Sequence, residues 1–271
     1  MAARIVNIAL AQTSPILGKI SENLDAAVCL TEQAAAEGAD LILFPELCFT
    51  GYQLELLGKE ILRLSDEWNE QIHDTLSRCA HACRINIVAG LCEQADGSYY
   101  NTACIYDRQG RRAGSYRKLF SFATEGSFFD KGTDLPVYDL DFGRVGVLIC
   151  YDAGFPETAR SLSLSGAEVL LIPAAWRIQE RRAWDLDVTV RAMENQVYSV
   201  GVNQTGQYGD LHLFGGSLAC GPAGEVLTRL SDDRPELGFC RLDLGVLETL
   251  HSRPGYRYDL QRSKVIKGGT Y

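Results

Sequence analysis

Residues 145–157, VGVLICYDAGFPE, constrain this chain more than any other stretch. Val145, Val147, Leu148 and Ile149 lie in a short apolar run rich in β-branched residues. A run of this kind reads as a strand buried on both faces, the kind found in parallel sheets covered by helices. The strand stops at Cys150. Pro156 then suits the first turn of a helix, where its missing N–H leaves nothing unpaired. Cys150 is therefore expected at the C-terminal end of a buried strand, just before a helix N-terminus. In open α/β sheets that edge is where ligands bind. The positive end of the helix would push the thiol toward thiolate. The plainer role for such a residue is a small buried hydrophobe, as most free cysteines are.

The same strand–turn–helix rhythm recurs along the chain. Arg4 to Leu10 reads as a first strand. Ser21 is placed to cap a helix running to about Ala36, with Leu24, Val28, Thr31 and Ala35 on one face, closed by Glu37-Gly38. DLILF at 40–44 is a second buried strand, and it stops at Pro45-Glu46. A carboxylate directly after a buried strand, beside Leu47, Cys48 and Phe49, sits at the rim of the core. Burial there raises its pKa and suits it to general-base work, whereas a solvated loop glutamate would do neither. Ser65 or Asp66 opens the next helix, with Trp68, Ile72, Leu76, Cys79 and Cys83 on one face. Cys79, His81 and Cys83 are metal-binding residue types, but on a helix His81 points away from both cysteines. Structural zinc wants four convergent ligands, so no metal is expected.

Ile85 to Leu91 is a third strand, joined by a hairpin at Ala95-Asp96-Gly97 to a strand from Tyr99 to Tyr106. The following strand, Ala113 to Lys118, ends in YRKLF. A lysine flanked by aromatic and apolar residues is either partly buried and held by a carboxylate or snorkels from a strand end. Ser115 and Lys118 match a serine–lysine acyl-transfer spacing, but that pattern needs one helical turn and this segment reads as extended. Glu125 lies in a loop among Phe122, Phe128 and Phe129. Strands at 135–141 and 144–151 meet at a turn, Phe142-Gly143. A helix at 156–164, a buried strand at 168–173 ending in Ala174-Ala175-Trp176, and a helix at 180–194 follow. Strands at 198–203, 214–220, 226–230 and 238–244 complete the sheet pattern, with a flexible loop at 206–209. Residues 253–271 read as an extended tail that needs a surface to lie on. Strands interleaved with helices and several hairpins predict an α/β fold with mixed sheets, in one domain spanning 1–271.

Charge and cysteine usage narrow the function. With 26 basic against 35 acidic side chains the net charge is −9, and no basic cluster offers a nucleic-acid or anionic-membrane surface. No apolar run is long enough to span a bilayer, and MAARIVNIALAQTSP has no apolar signal core. A cytoplasmic protein is expected, in which nine cysteines are free thiols rather than a disulfide framework. Glu46, Lys118 and Cys150 stand at three strand ends, which one sheet region can bring to a single pocket. A cysteine nucleophile needs a base. None of the four histidines (His73, His81, His212, His251) sits at an apolar strand end. A cysteine–histidine hydrolase is therefore poorly supported, and a glutamate base would serve instead.

FPELCFTGY around Glu46, YRKLF around Lys118 and GVLICYDAGFPE around Cys150 resemble, in order, the three signature motifs of the nitrilase superfamily of carbon–nitrogen hydrolases, amidase-like branch. GAEVLLIP at 166–173, Arg191-Ala-Met-Glu194-Asn195 and Gly215-Gly216-Ser217 extend the resemblance over nearly the whole chain. It implies a four-layer α-β-β-α sandwich with two mixed β-sheets, usually dimeric. It implies Cys150 as nucleophile, forming a thioester or thioimidate, and Glu46 as general base. Lys118 and the backbone N–H of Tyr151 would stabilise the oxyanion, and Glu125 would position substrate and order Lys118, with no metal or cofactor. Tyr52, Tyr151, Phe155 and Trp176 would bind substrate, with Phe122 and Arg177 nearby. Members that take carboxylate-ended substrates often read CYD-x-R-F, and here that position is Gly154, with Arg177 as the one conceivable substitute. A neutral, modest-sized primary amide is expected, with an N-carbamoyl amine or amino acid as the alternative and a nitrile third. A non-catalytic or thiol-sensing protein is the reading from a different class. A homodimer is expected, through the helix after Cys150 and the tail from Arg253.

Overall fold

In the computed structural model, which describes residues 3–263, the expected buried parallel strands form, and they form twice. In chain order the strands are β1 (Ile5–Gln12), β2 (Leu41–Leu43), β3 (Asn86–Ala95), β4 (Ser98–Tyr106), β5 (Arg112–Arg117), β6 (Val137–Leu140), β7 (Gly143–Val147), β8 (Val169–Ala174), β9 (Tyr198–Asn203), β10 (Thr205–Tyr208), β11 (Leu211–Phe214), β12 (Leu218–Cys220), β13 (Val226–Arg229) and β14 (Glu236–Asp243). The helices are α1 (Ile20–Ala36), α2 (Leu54–Leu57), α3 (Glu60–Cys83), α4 (Pro156–Leu164), α5 (Arg181–Asn195), α6 (Gly245–His251) and α7 (Tyr256–Arg262). One six-stranded sheet has the order β14-β1-β2-β3-β4-β5 and the other β13-β12-β9-β8-β7-β6. Each has three parallel strands, β1-β2-β3 and β7-β8-β9, flanked by antiparallel partners.

Strand alternation builds the layers. Val6, Ile8 and Leu10 of β1 and Leu41 and Leu43 of β2 face the second sheet, where they meet Val145, Val147, Leu171 and Val200. Ala9, Ala11 and Ile42 face the other way, onto Leu24 and Ala27 of α1 and Ile72 and Leu76 of α3. Trp184, Val188 and Ala192 of α5 and Leu162 of α4 cover the second sheet. The result is a four-layer α-β-β-α sandwich. Each buried Leu or Ile contributes about 1.5–3 kcal/mol, and a one-residue slip of β1 would exchange the two faces, so the register is strongly set. The strand ends that carry reactive side chains all lie at the C-terminal edges of these sheets.

The structure departs from the sequence reading in several places, among them the strand expected at 214–220, which is split into β11 and β12 by Gly215-Gly216-Ser217. Ser21 does not cap α1, which starts at Ile20 with Lys19 before it and no side-chain cap. The polar anchor there is Asn23, whose amide exchanges hydrogen bonds with the Ile16 backbone (2.8 Å each way) and donates to Phe49 O (2.7 Å). The second long helix begins at Glu60, ahead of Ser65, whose hydroxyl donates to Cys92 O (2.8 Å) rather than capping. The loop at 206–209 is largely the β10–β11 hairpin, pinned by the Tyr208 hydroxyl donating to Pro15 O (2.7 Å). Much of the described part of the tail is helix α7 rather than extended chain. Arg257 is buried and donates to Ser163 Oγ (2.9 Å), while its backbone N–H donates to Gln196 Oε1 (2.9 Å). The rest of the tail call, 264–271, lies outside the described residues. No helix is long and apolar enough to cross a membrane among the described residues.

Candidate active site

Glu46 lies just past the C-terminal end of β2 and is fully buried. The chain turns there through Leu47 at φ 44°, a left-handed conformation that non-glycine residues rarely adopt. The turn fits only because β3 carries glycine beside it. A Cβ on Gly90 would stand 2.5 Å from Pro45 O and 2.6 Å from Glu46 Cα. Four donors then fix the glutamate. Its Oε1 accepts from Asn101 Nδ2 (2.7 Å) and Lys118 Nζ (2.6 Å), its Oε2 from the Ala175 N–H (3.0 Å), and its backbone carbonyl from Gln204 Nε2 (2.5 Å).

Lys118 directly follows β5, and its extended backbone rules out the serine–lysine helical turn. Its ammonium bridges Glu46 Oε1 (2.6 Å) and Glu125 Oε1 (2.7 Å) with its side chain 3 % exposed. Burial alone would depress its pKa, but the two carboxylates more than offset that and hold it charged. For Glu46 the balance is reversed: burial raises its pKa despite Lys118. Glu125 opens a short 3-10 turn and is fixed by the Tyr52 hydroxyl and by the Phe122 N–H (3.1 Å). Burial, then the Glu125 charge, keep the Tyr52 phenol protonated and so a donor.

Cys150 follows β7 and sits at φ 49°, a second left-handed position. Residues Cys150–Gly154 form a 3-10 turn before α4, so the thiol does not stand at the first turn of that helix. Its pKa runs opposite to the sequence expectation. Burial, with the Glu46 charge adding to it, raises the thiol well above its ordinary range, while Lys118 and the Ala175 N–H pull it down less. Burial therefore favours the neutral thiol. Asp152 holds this turn against the Lys118 strand. Its carboxylate accepts from Tyr116 OH (2.7 Å), the Phe120 N–H (2.9 Å) and the Ile149 N–H (3.2 Å).

Cys150 opens onto a cavity of about 160 Å³, lined chiefly by Phe122, Tyr151, Gly154, Trp176, Arg177 and Asp187. That is below the roughly 300–1,000 Å³ usual for drug-sized ligands. Of the four residues expected to bind substrate, Tyr151 and Trp176 line it. Phe155 stands behind, edge-on to the Tyr151 ring (5.1 Å) and stacked on Phe120 (3.8 Å). Tyr52 is turned to Glu125. Arg177 is spent on Glu180 (Nε to Oε2 3.0 Å, with a second contact beside it), and its guanidinium lies 4.8 Å over the Phe122 ring. Among the described residues no group of three or more His, Cys, Asp or Glu side chains is arranged for a metal, and His81 is exposed while Cys79 faces the core. Asn101, Asp152, Gln204 and the Ala175 N–H had no assigned role from sequence. Only Asp152, inside the CYD stretch, gave a local signal.

The carbon-nitrogen hydrolase family pattern matches residues 7–251. A nitrilase of Pyrococcus abyssi is 35% identical over 243 residues, 89% of this chain and 90% of that protein. A 2-oxoglutaramate amidase of Bacillus subtilis is 33% identical over 239 residues, 87% and 89% respectively. Among solved structures, a glutamate-to-glutamine mutant of the amidase from Nesterenkonia sp. AN1 superposes with a TM-score of 0.82 at 28% identity, covering 95% of each chain. That structure shows covalent addition of the acetamide moiety of fluoroacetamide at the active site cysteine.

Proposed function

The chain belongs to the carbon–nitrogen hydrolase family, and from that premise we propose that it hydrolyses the primary amide of a small molecule to carboxylic acid and ammonia through a thioester on Cys150. The observation that carries this is one charged ammonium, Lys118, held between two buried carboxylates beside a strand-end thiol.

In this reading Glu46 takes the thiol proton as sulfur attacks the amide carbon. The ammonium of Lys118 and the backbone N–H of Tyr151 stabilise the oxyanion. Collapse breaks the C–N bond, and Glu46 returns the proton to the leaving nitrogen, which departs as ammonia. Glu46 then deprotonates water, which attacks the thioester and releases the acid and the free thiol. Glu125, fixed by Tyr52, keeps the Lys118 ammonium in place. Two groups whose neutral forms burial favours, sharing one cation, are matched for passing a single proton.

The test is ammonia release from a panel of aliphatic and aromatic amides, with intact-mass detection of the acyl-enzyme. Wild type should release ammonia and accumulate the acyl mass, and Cys150→Ala should do neither. Silence with every amide, together with turnover of N-carbamoyl compounds, would move the assignment to that alternative. We further propose that 1–271 acts as one domain in the cytoplasm and as a homodimer through α4, where Leu164 is 45% exposed, and the segment from Arg253. Light scattering at micromolar concentration should give the dimer mass; a monomer overturns it.

A further inference from the structure

Three charged residues line the cavity over Cys150, and they are not equivalent. Arg177 and Glu180 neutralise each other, and the Glu180 carbonyl also takes the Trp176 indole N–H (3.0 Å). Asp187, on α5, has no comparable partner. The contact of its Oδ1 with Arg191 Nη2 is 3.5 Å long. Arg191 is committed elsewhere, its Nε to Ala153 O (2.7 Å) and its Nη1 to Glu194 Oε1 (2.8 Å). The other oxygen, Oδ2, faces Gly154. A Cβ at that glycine would lie 3.8 Å from Oδ2 and meet nothing else within 4 Å, so the space in front of the carboxylate is open. Burial raises the Asp187 pKa even with Arg191 beside it, and the Glu194 charge adds to that. The remaining wall is formed by Phe122, Tyr151 and Trp176, apolar rings that suit the methylenes of a substrate, with the Arg177 guanidinium already over the Phe122 ring.

We propose that Asp187 is a subsite for positive charge, and that the preferred substrate is a small amide whose far end carries a primary ammonium. This rests on the amidase reading above and names its substrate class. This differs from the neutral amide expected from sequence, because the open carboxylate comes from α5, ten residues beyond Arg177, the last residue the sequence placed near the pocket. An ammonium would reach Asp187 Oδ2 over Gly154 while its methylenes lie against the aromatic walls. A carboxylate-ended substrate would meet Asp187 with Arg177 already occupied.

The experiment compares, at each chain length from three to six carbons, an ω-amino amide, the unsubstituted alkyl amide and the ω-carboxy amide. At the best length kcat/KM should favour the ammonium over the neutral amide on the order of 10- to 100-fold, as a charge-assisted hydrogen bond allows, and should disfavour the carboxylate. Asp187→Asn should bring the ammonium-to-neutral ratio close to one, and Asp187→Glu should restore part of it. Equal or better turnover of the neutral amide at every length overturns the proposal, as does a ratio that survives Asp187→Asn. Calorimetric titration of the Cys150→Ala protein with the same pairs reads the subsite without turnover. Tighter binding of the ammonium amide supports it and equal binding overturns it, even if the amidase reading fails on its own test.

Discussion

Glu46 and Cys150 occupy matching places in the two sheets and are built differently. Each lies just past the C-terminal end of a parallel strand, and each turn uses a left-handed residue, Leu47 at φ 44° and Cys150 itself at φ 49°. A position of that kind costs about 1–3 kcal/mol and persists only where its surroundings over-determine it. The Glu46 turn is closed, with the side chain fully buried and donors on both carboxylate oxygens and the backbone carbonyl. The Cys150 turn is open on one side, with Tyr151 next to it 36% exposed and a cavity over the sulfur. A group that only shuttles a proton gains from being fixed, whereas a nucleophile must also admit the atom it attacks.

The strongest way to break that contrast is Glu46→Gln. The amide is nearly isosteric and leaves the cavity over Cys150 intact, but it cannot accept a proton. On the proposed mechanism kcat should fall on the order of 1,000-fold, within the range general-base groups supply. Two effects oppose each other at the thiol. The variant removes the Glu46 charge that helps raise the thiol pKa, and it removes the group that takes the thiol proton. On the proposed mechanism the second dominates, so the thiol should become less reactive. Iodoacetamide labelling should be far faster at Cys150 than at the other eight cysteines in wild type, and should slow in the variant. Nine thiols reacting alike would favour a non-catalytic protein.

Gly90→Ala tests the closed turn alone. The added Cβ would meet backbone atoms of Pro45 and Glu46 at 2.5 and 2.6 Å, so the turn itself must move. Overpacking of this kind costs about 1–3 kcal/mol, which in a chain of this size lowers Tm by several degrees. Displacing the base by about 1 Å should cost on the order of 100-fold in kcat. A variant that keeps full activity would show that the close approach of β3 is not what places Glu46.

Asp152→Asn is the corresponding change at the open turn. It removes the charge that ties the Cys150 turn to the strand bearing Lys118, and puts an N–H2 group in place of one oxygen, facing either the Phe120 N–H or the Ile149 N–H and the Tyr116 phenol. Losing one charge-assisted bond should lower kcat roughly 10- to 30-fold, with KM moving less. Burial, outweighing the Lys118 charge and the donors, pushes this carboxyl up from 3.8 to about 6. Activity should therefore fall as pH drops through about 6. Stability runs the other way. The folded pKa lies above the unfolded one, so this group favours the fold fully below about 3.8, and that contribution is lost as pH rises through about 6. Burial raises the Glu46 carboxyl as well, despite the Lys118 charge. An acid limb that does not move in Asp152→Asn would show that Asp152 does not set it.

The contrast between the turns also explains what the sequence could reveal. Apolar runs such as DLILF and VGVLI are local, so the strands, and Glu46 and Cys150 at their ends, are legible in order. Lys118 stands out because its neighbours are too apolar for a solvated lysine. Asn101, Gln204 and the Ala175 N–H act on Glu46 from 55, 158 and 129 residues away, and nothing in their own neighbourhoods marks them. The Cys150 pKa runs opposite to the local expectation for the same reason. The helix after it is a local feature, but its burial and the Glu46 charge are tertiary ones. Asp187 lies on a helix whose apolar face is read for packing, and its open oxygen depends on Gly154 from another element.

The smallest effect is expected where neither turn is touched. Tyr52 donates its hydroxyl to Glu125, and its ring lies 5.9 Å from Lys118 Nζ. Tyr52→Phe keeps the ring, and with it the packing near the ammonium, while freeing one lone pair on Glu125. Glu125 retains Lys118 (2.7 Å) and the Phe122 N–H (3.1 Å), so it stays in place but is held less tightly. If Glu125 acts by ordering Lys118, kcat should drop about 3- to 10-fold, the worth of a hydrogen bond to a charged group that is partly replaced. Because Tyr52 does not line the cavity, preference among amides of different length should not change. A shift in substrate preference would instead make Tyr52 part of the pocket wall, as the sequence first indicated, and would blur the division between a closed proton-handling side and an open substrate-admitting one.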